Sequence, residues 1–223
     1  MLFALLLDLG DTLVLGDHVI DHVPQALAAL ALLRTGGGTP LELALVSDYT
    51  MPPPHAPASK VQHLFDEYVA LLDGFGLKAT FEPVEKRVTL STQAGVRKPD
   101  SAIFRLALER LGLAPVLGTA MFITENAAHV AAARSLGMIA WQYGVDFTDW
   151  RTAPELVADA LADDIAAAGP PPDAAAEERF RKALEDNQAI APSGQPLGLG
   201  QTHTLEKGPD GKPRPQRRRF SMK

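Results

Sequence analysis

"LLLDLGDTLV", residues 5–14, decides how the rest of the chain reads. A continuous apolar run ends on Asp8, and a second carboxylate, Asp11, follows three residues later. An unbroken run of this kind fits a short strand buried on both faces, as in a parallel sheet covered by helices on either side. In such sheets ligands bind just outside the carboxyl ends of the strands. Asp8 stands at one of those ends.

Working outward, strand-like and helix-like segments alternate. Residues 23–34 read as a helix with Pro24 near its start, ended by "TGGGTP". "ELALVS" (42–47) is a second buried strand, 59–73 a helix, and "RVTLS" (87–91) a third strand. A helix over 99–113 is opened by Pro99, "TAMFIT" (119–124) is a strand, 126–137 a helix stopped by Gly137, and 138–144 a last strand. This order predicts a three-layer α/β/α, Rossmann-like domain with a parallel central sheet. Asp8, Ser47 and Glu125 then fall at or just past three carboxyl edges, which makes their convergence a site hypothesis.

Composition sets the limits. With 223 residues and 46% hydrophobic content, the chain can bury one substantial core. The absence of cysteine excludes disulfides, cysteine-ligated zinc and a cysteine nucleophile. The net charge of −6 hides an asymmetry: residues 201–223 hold seven Lys/Arg against Glu206 and Asp210. "MLFALLL" lacks the positive flank and cleavage site of a signal peptide, and no run is long enough to span a bilayer. The expectation is a cytoplasmic protein with no membrane partner. Composition divides it into a core domain over 1–150, a helical, Ala-rich and acidic extension over 151–190, and a Gly/Pro-rich basic tail or hairpin over 191–223.

Four segments, "LLLDLGDTLV", "LALVSD", "GVRKPDSAIF" and "AMFITENAAHVAAARSLGMIA", stand in this order. Together they resemble the haloacid dehalogenase-like (HAD) superfamily of hydrolases, over roughly residues 1–145. The resemblance implies a metal-dependent phosphatase in which Asp8 attacks phosphorus and becomes an aspartyl phosphate. It further implies that Thr12, Ser47 and Lys98 gather the phosphoryl oxygens, and that Asp8, the Gly10 backbone carbonyl and Glu125 hold Mg²⁺ (or Mn²⁺). Preorganised donors of this sort are usually the largest catalytic contribution.

The departures from the family pattern matter equally. Its phosphatases place a second Asp, the general acid and base, two residues after the nucleophile; here that position is Gly10. Acid–base help typically contributes about 10²–10⁴-fold, so the expectation is slow turnover with phosphoryl capture retained. Phosphate esters with good leaving groups, acyl or aryl phosphates, need the acid least. Asp11 is a candidate substitute, although a one-residue shift re-aims a side chain by a large angle. Where the family has Gly-Asp and a further Asp, this chain has Thr124-Glu125 and then His129. His129 is a poor ligand for a hard ion such as Mg²⁺ and suits Mn²⁺, a proton shuttle or no role.

Between Val14 and Leu41 there is room for one helix and loops, and fifty residues separate Ser47 from Lys98. Little or no cap domain is expected. An open site suits a large substrate, or a phosphorylated small molecule covered by a partner protein, a second copy, or a lid built from the acidic helices and the basic tail with Arg217–Arg219. His18 and His22 have zinc-compatible spacing but no third ligand. The acidic body argues against nucleic acid, despite the clustered arginines. The principal alternative function is a catalytically impaired binding or scaffold protein; a dehalogenase, which needs neither the second Asp nor a metal, ranks below it.

Overall fold

The structure is a computed structural model, and it describes residues 1–167, 174–187, 190–191, 203–207 and 213–217. Its centre is β1 (Ala4–Leu7), whose four side chains are all fully buried. Around it lie β4 (Glu42–Ser47), β5 (Val88–Leu90), β6 (Ala120–Thr124) and β7 (Ile139–Gln142), in the order β5-β4-β1-β6-β7 with every pairing parallel. The fold is therefore the three-layer α/β arrangement that the alternation of segments predicts.

The side-chain period of two in β1 sorts the core into two faces. Leu5 and Leu7 join Leu43, Leu45, Met121 and Ile123 on one face. That face is covered by α1 (Val23–Leu30), α2 (Ala58–Gly74) and α7 (Ala153–Ala167). Ala4 and Leu6 join Ala44, Val46 and Phe122 on the other, under α5 (Ser101–Arg110) and α6 (Ala127–Ser135). Both faces of a central strand are thus dry, which is why the strand is uniformly apolar.

Three boundaries differ from the sequence reading, each for a local reason. The first helix ends at Leu30, because the chain then turns back so that Leu41 N–H donates to the Leu33 carbonyl at 3.0 Å. Pro99 does not open α5. Asp100 is its N-cap, accepting from Ala102 N–H at 2.9 Å, while the Lys98 N–H is held by Asp48 at 3.0 Å. Asn126 likewise caps α6 by accepting from the N–H groups of Ala128 and His129, so that helix begins at Ala127.

Only a small antiparallel pair, β2 (Val14–Leu15) with β3 (His18–Val19), and α1 lie between β1 and β4. Between β4 and Lys98 the chain builds α2, the short α3 (Val84–Arg87), β5 and α4 (Ser91–Ala94). Packing continues past residue 150. Trp150 is fully buried, and Val157 and Leu161 of α7 belong to the same cluster as Leu5. Beyond it, α8 (Ala174–Asp186) buries Ala183 and Leu184, and Asn187 clasps both the N–H and the carbonyl of Arg34 at 3.0 Å. In the basic segment, β9 (His203–Lys207) pairs with β8 (Ile190–Ala191) and, antiparallel, with β10 (Pro213–Arg217). Arg218 and Arg219 lie outside the described residues.

Candidate active site

The carboxyl ends of β1, β4 and β6 meet at Asp8. It follows β1 directly, its N–H donates to the Ile123 carbonyl at 2.9 Å, and it is 6% exposed. Both of its oxygens are held. Oδ1 accepts from Leu9 N–H at 2.9 Å, and Oδ2 accepts from the Thr124 hydroxyl at 2.9 Å. Oδ2 also receives the ammonium of Lys98 in a direct ion pair. The carboxylate is thus fixed in rotation, with no freedom left in its torsion angle to lose on binding.

Lys98 is an unusual lysine because its side chain is almost wholly buried. A buried ammonium is tolerated only when paired and hydrogen-bonded. Here Asp8 supplies the counter-charge, and the Val46 carbonyl, next to last in β4, accepts from Nζ at 3.0 Å. The ammonium also lies 5.7 Å from the centroid of the Phe122 ring.

Thr12 and Glu125 form a second, interlocked pair. The fully buried Thr12 hydroxyl donates to Glu125 Oε2 at 2.8 Å, and Glu125 N–H donates back to the same hydroxyl oxygen at 2.9 Å. The Trp150 indole N–H fixes the Thr12 carbonyl at 2.9 Å, so the turn after β1 is braced from the 3-10 turn that precedes α7. Thr124 Oγ lies 2.9 Å from Asp8 Oδ2 and 3.1 Å from Glu125 Oε2, bridging the two carboxylates. Ser47, at the end of β4, is 5% exposed.

The metal expectation can be tested against these donors. Among the described residues no group of three or more His, Asp or Glu side chains is gathered around one point. What converges is two carboxylates, Asp8 and Glu125, on either side of one hydroxyl. Mg²⁺ is commonly bound by only one or two carboxylates and keeps several waters, so this hard-oxygen pair fits that ion. It does not fit an all-protein cage.

Two residues stand differently. Asp11 adopts a left-handed backbone with φ of 52° and is exposed; it lines a recess of about 570 Å³ with His18, His22, Tyr143 and Asp149. His18 and His22 are not on one helix, since His18 lies in β3 and His22 precedes α1. His129, in the first turn of α6, has a buried Nδ1 with no hydrogen-bond partner. Burial and then the Lys98 charge push its pKa below the ordinary histidine value, while Asp8, Asp48 and Glu125 pull it back up.

Sequence reasoning gave no role to Asp48, Thr124 or Trp150. Thr124 carried a signal, a hydroxyl at a strand's carboxyl edge. So did the β2–β3 pair, whose Gly16-Asp17 junction is turn chemistry, with Gly16 at φ of 61°. Trp150 carried none, because its role depends on which element covers which face.

No family model matches the sequence, and no curated protein matches it either. Solved structures with some likeness include an uncharacterized protein from Corynebacterium glutamicum, 18% identical, with a TM-score of 0.42. That likeness covers 72% of this chain and 96% of the other. A HAD family hydrolase from Deinococcus radiodurans, with bound phosphate and sodium, is 19% identical over 56% of this chain and 44% of its own, at a TM-score of 0.36. The L-2-haloacid dehalogenase from Xanthobacter autotrophicus is 25% identical over 67% of this chain and 49% of its own, at 0.39. At these TM-scores the likeness carries no functional argument, and the site stands on its own geometry.

Proposed function

We propose that this chain is a HAD-like hydrolase, a metal-dependent phosphatase that works through an aspartyl phosphate on Asp8 and favours phosphate esters with good leaving groups. The observation that carries the reading is the buried Lys98–Asp8 pair at the carboxyl edge of the sheet. A protein rarely buries a lysine against a carboxylate for stability alone, since the desolvation cost offsets most of the attraction. Such a pair does suit a site that must hold an anion beside a nucleophile.

The chemistry follows from the side chains. Asp8, its torsion fixed by Leu9 N–H and Thr124 Oγ, attacks phosphorus as the bond to the leaving oxygen breaks. On this reading Lys98, Ser47 and Thr12 donate hydrogen bonds to the phosphoryl oxygens, Thr12 by turning its proton away from Glu125. Asp8, Glu125 and the Gly10 carbonyl would hold a divalent cation, which when bound would neutralise charge on the phosphoryl group. Gly10 offers no proton to the leaving group, which selects for esters whose leaving oxygen is already a stable anion. The same gap leaves no carboxylate at that position to activate water, so the second step, hydrolysis of the aspartyl phosphate, is slow. Without an inserted cap domain before β4, a small substrate is covered by a partner, by a second copy or by the C-terminal segment.

A second reading, a binding or scaffold protein that no longer turns over, is favoured by one observation, the absence of a third acidic or histidine ligand among the described residues. Turnover of an aryl phosphate with Mg²⁺ separates the two. The phosphatase reading expects measurable release of the phenol by the wild type and its loss in Asp8→Asn. Equal rates in both proteins would end it.

A further inference from the structure

We infer that Asp48 is a positioning residue for Lys98: its carboxylate anchors the lysine's backbone, so that the buried ammonium is delivered to Asp8 and to a phosphoryl group captured there. The inference rests on the phosphoryl-capture reading above and deepens it, since it names what keeps the site's buried cation on target.

Lys98 comes from the loop that joins α4 to α5, whereas both partners of its ammonium belong to the sheet. Asp8 follows β1, and the Val46 carbonyl lies in β4. A lysine stem is long and flexible, and it loses much rotamer freedom when its tip is held. The tip stays in place only if the root does not move relative to the sheet. Asp48 supplies that tie. It directly follows β4, and its Oδ1 accepts from the Lys98 N–H at 3.0 Å. Both ends of Lys98 are therefore fastened to one short stretch of chain, the ammonium to Val46 and the backbone to Asp48. A carboxylate acceptor makes this a charge-assisted bond, stronger than a neutral one.

The residues after Asp48 are fastened as well, but elsewhere. Tyr49 N–H donates to Ser91 Oγ at 2.9 Å, and the Ser91 hydroxyl donates to the Tyr49 carbonyl at 3.2 Å. The Thr92 hydroxyl donates to the Thr50 carbonyl at 2.8 Å. These three bonds stitch the strand's exit to α4. Of the four, the bond from Asp48 alone reaches the residue whose side chain enters the site, so the two kinds of bond can be separated by mutation.

Thermal shift with beryllium fluoride and Mg²⁺, a phosphoryl mimic on aspartate, measures the affinity of the site. The proteins are wild type, Asp8→Asn, Asp48→Ala, Asp48→Asn, Asp48→Glu and Thr92→Val. We expect about tenfold weaker binding in Asp48→Ala, the usual effect of losing one hydrogen bond to a charged group. Asp48→Asn keeps an accepting oxygen at the same reach and should restore most of the affinity. Asp48→Glu keeps the charge but moves the oxygen by one methylene; it should bind as weakly as Asp48→Ala, and it replaces that variant if alanine prevents folding. Thr92→Val cuts a stitch that does not touch Lys98 and should bind as wild type does, whatever its Tm. Wild-type affinity in both Asp48→Ala and Asp48→Glu would overturn the inference. So would an Asp48→Asn as weak as Asp48→Ala, or an equal loss in Thr92→Val. No response in the wild type would overturn the phosphoryl-capture reading and this inference with it, whereas a wild-type response retained in Asp48→Ala overturns the inference alone.

Discussion

At Gly10 an added Cβ would meet no atom within 4 Å, and the backbone there lies outside the left-handed region. A side chain at Gly10 therefore meets no clash at its first atom, at the position where HAD phosphatases carry a carboxylate. Gly10→Asp is expected to raise turnover of alkyl phosphates, whose leaving group needs a proton, by about 10²–10⁴-fold, and that of aryl phosphates by much less. Steady-state kinetics on both classes checks it; no gain on either would mean that Gly10 is not the missing acid. Asp11→Asn should leave both rates unchanged, because Asp11 faces a separate recess. His129 gives a pH effect of known sign. Its folded-state pKa lies below its ordinary value of 6.5, so the unfolded chain binds the proton more readily. The associated stability is present above pH 6.5 and is lost as pH falls below it. Melting curves of His129→Asn should show a smaller loss of Tm on acidification than wild type.

Lys98 is where elements are joined. It stands between α4 and α5, yet its ammonium reaches Asp8 after β1 and the Val46 carbonyl in β4. Lys98→Met should destabilise the fold by about 3–5 kcal/mol, the usual cost of leaving a buried charge without its partner, and abolish beryllium fluoride binding. Chemical denaturation reads the first effect and thermal shift the second. The elements also show what the sequence discloses. Buried strands such as "ALLL" and "ELALVS" were legible because every residue is apolar, and the carboxyl-edge positions of Asp8, Ser47 and Glu125 followed from that pattern. The end of α1 and the start of α5 were not, since the return of Leu41 to the Leu33 carbonyl and the grip of Asp48 on the Lys98 N–H link residues apart in sequence.

At the scale of the molecule, the change of composition at residue 150 does not interrupt the core. Val157, Leu161 and Ile165 of α7 are buried, Trp150 braces the turn carrying Thr12, and Asp164 accepts from Leu2 N–H at 2.7 Å. Each fully buried aliphatic side chain of this size contributes about 1.5–3 kcal/mol, so losing three of them together consumes much of an ordinary domain's stability. A chain ending at 150 should fail to fold cooperatively. One ending at 190 keeps α7, α8 and the Asn187–Arg34 clasp, and should melt as the whole chain does. If the segment beyond 190 acts as a lid, that truncation will instead weaken aryl phosphate binding with Tm unchanged.

The central claim is that Asp8 captures a phosphoryl group at a site whose second step is slow. Intact-protein mass spectrometry after acid quenching of a reaction with acetyl phosphate and Mg²⁺ tests it most directly. The account predicts one added phosphoryl group on most wild-type molecules, absent from Asp8→Asn. A wild type that never acquires the group, or an Asp8→Asn variant that acquires it equally, would contradict it.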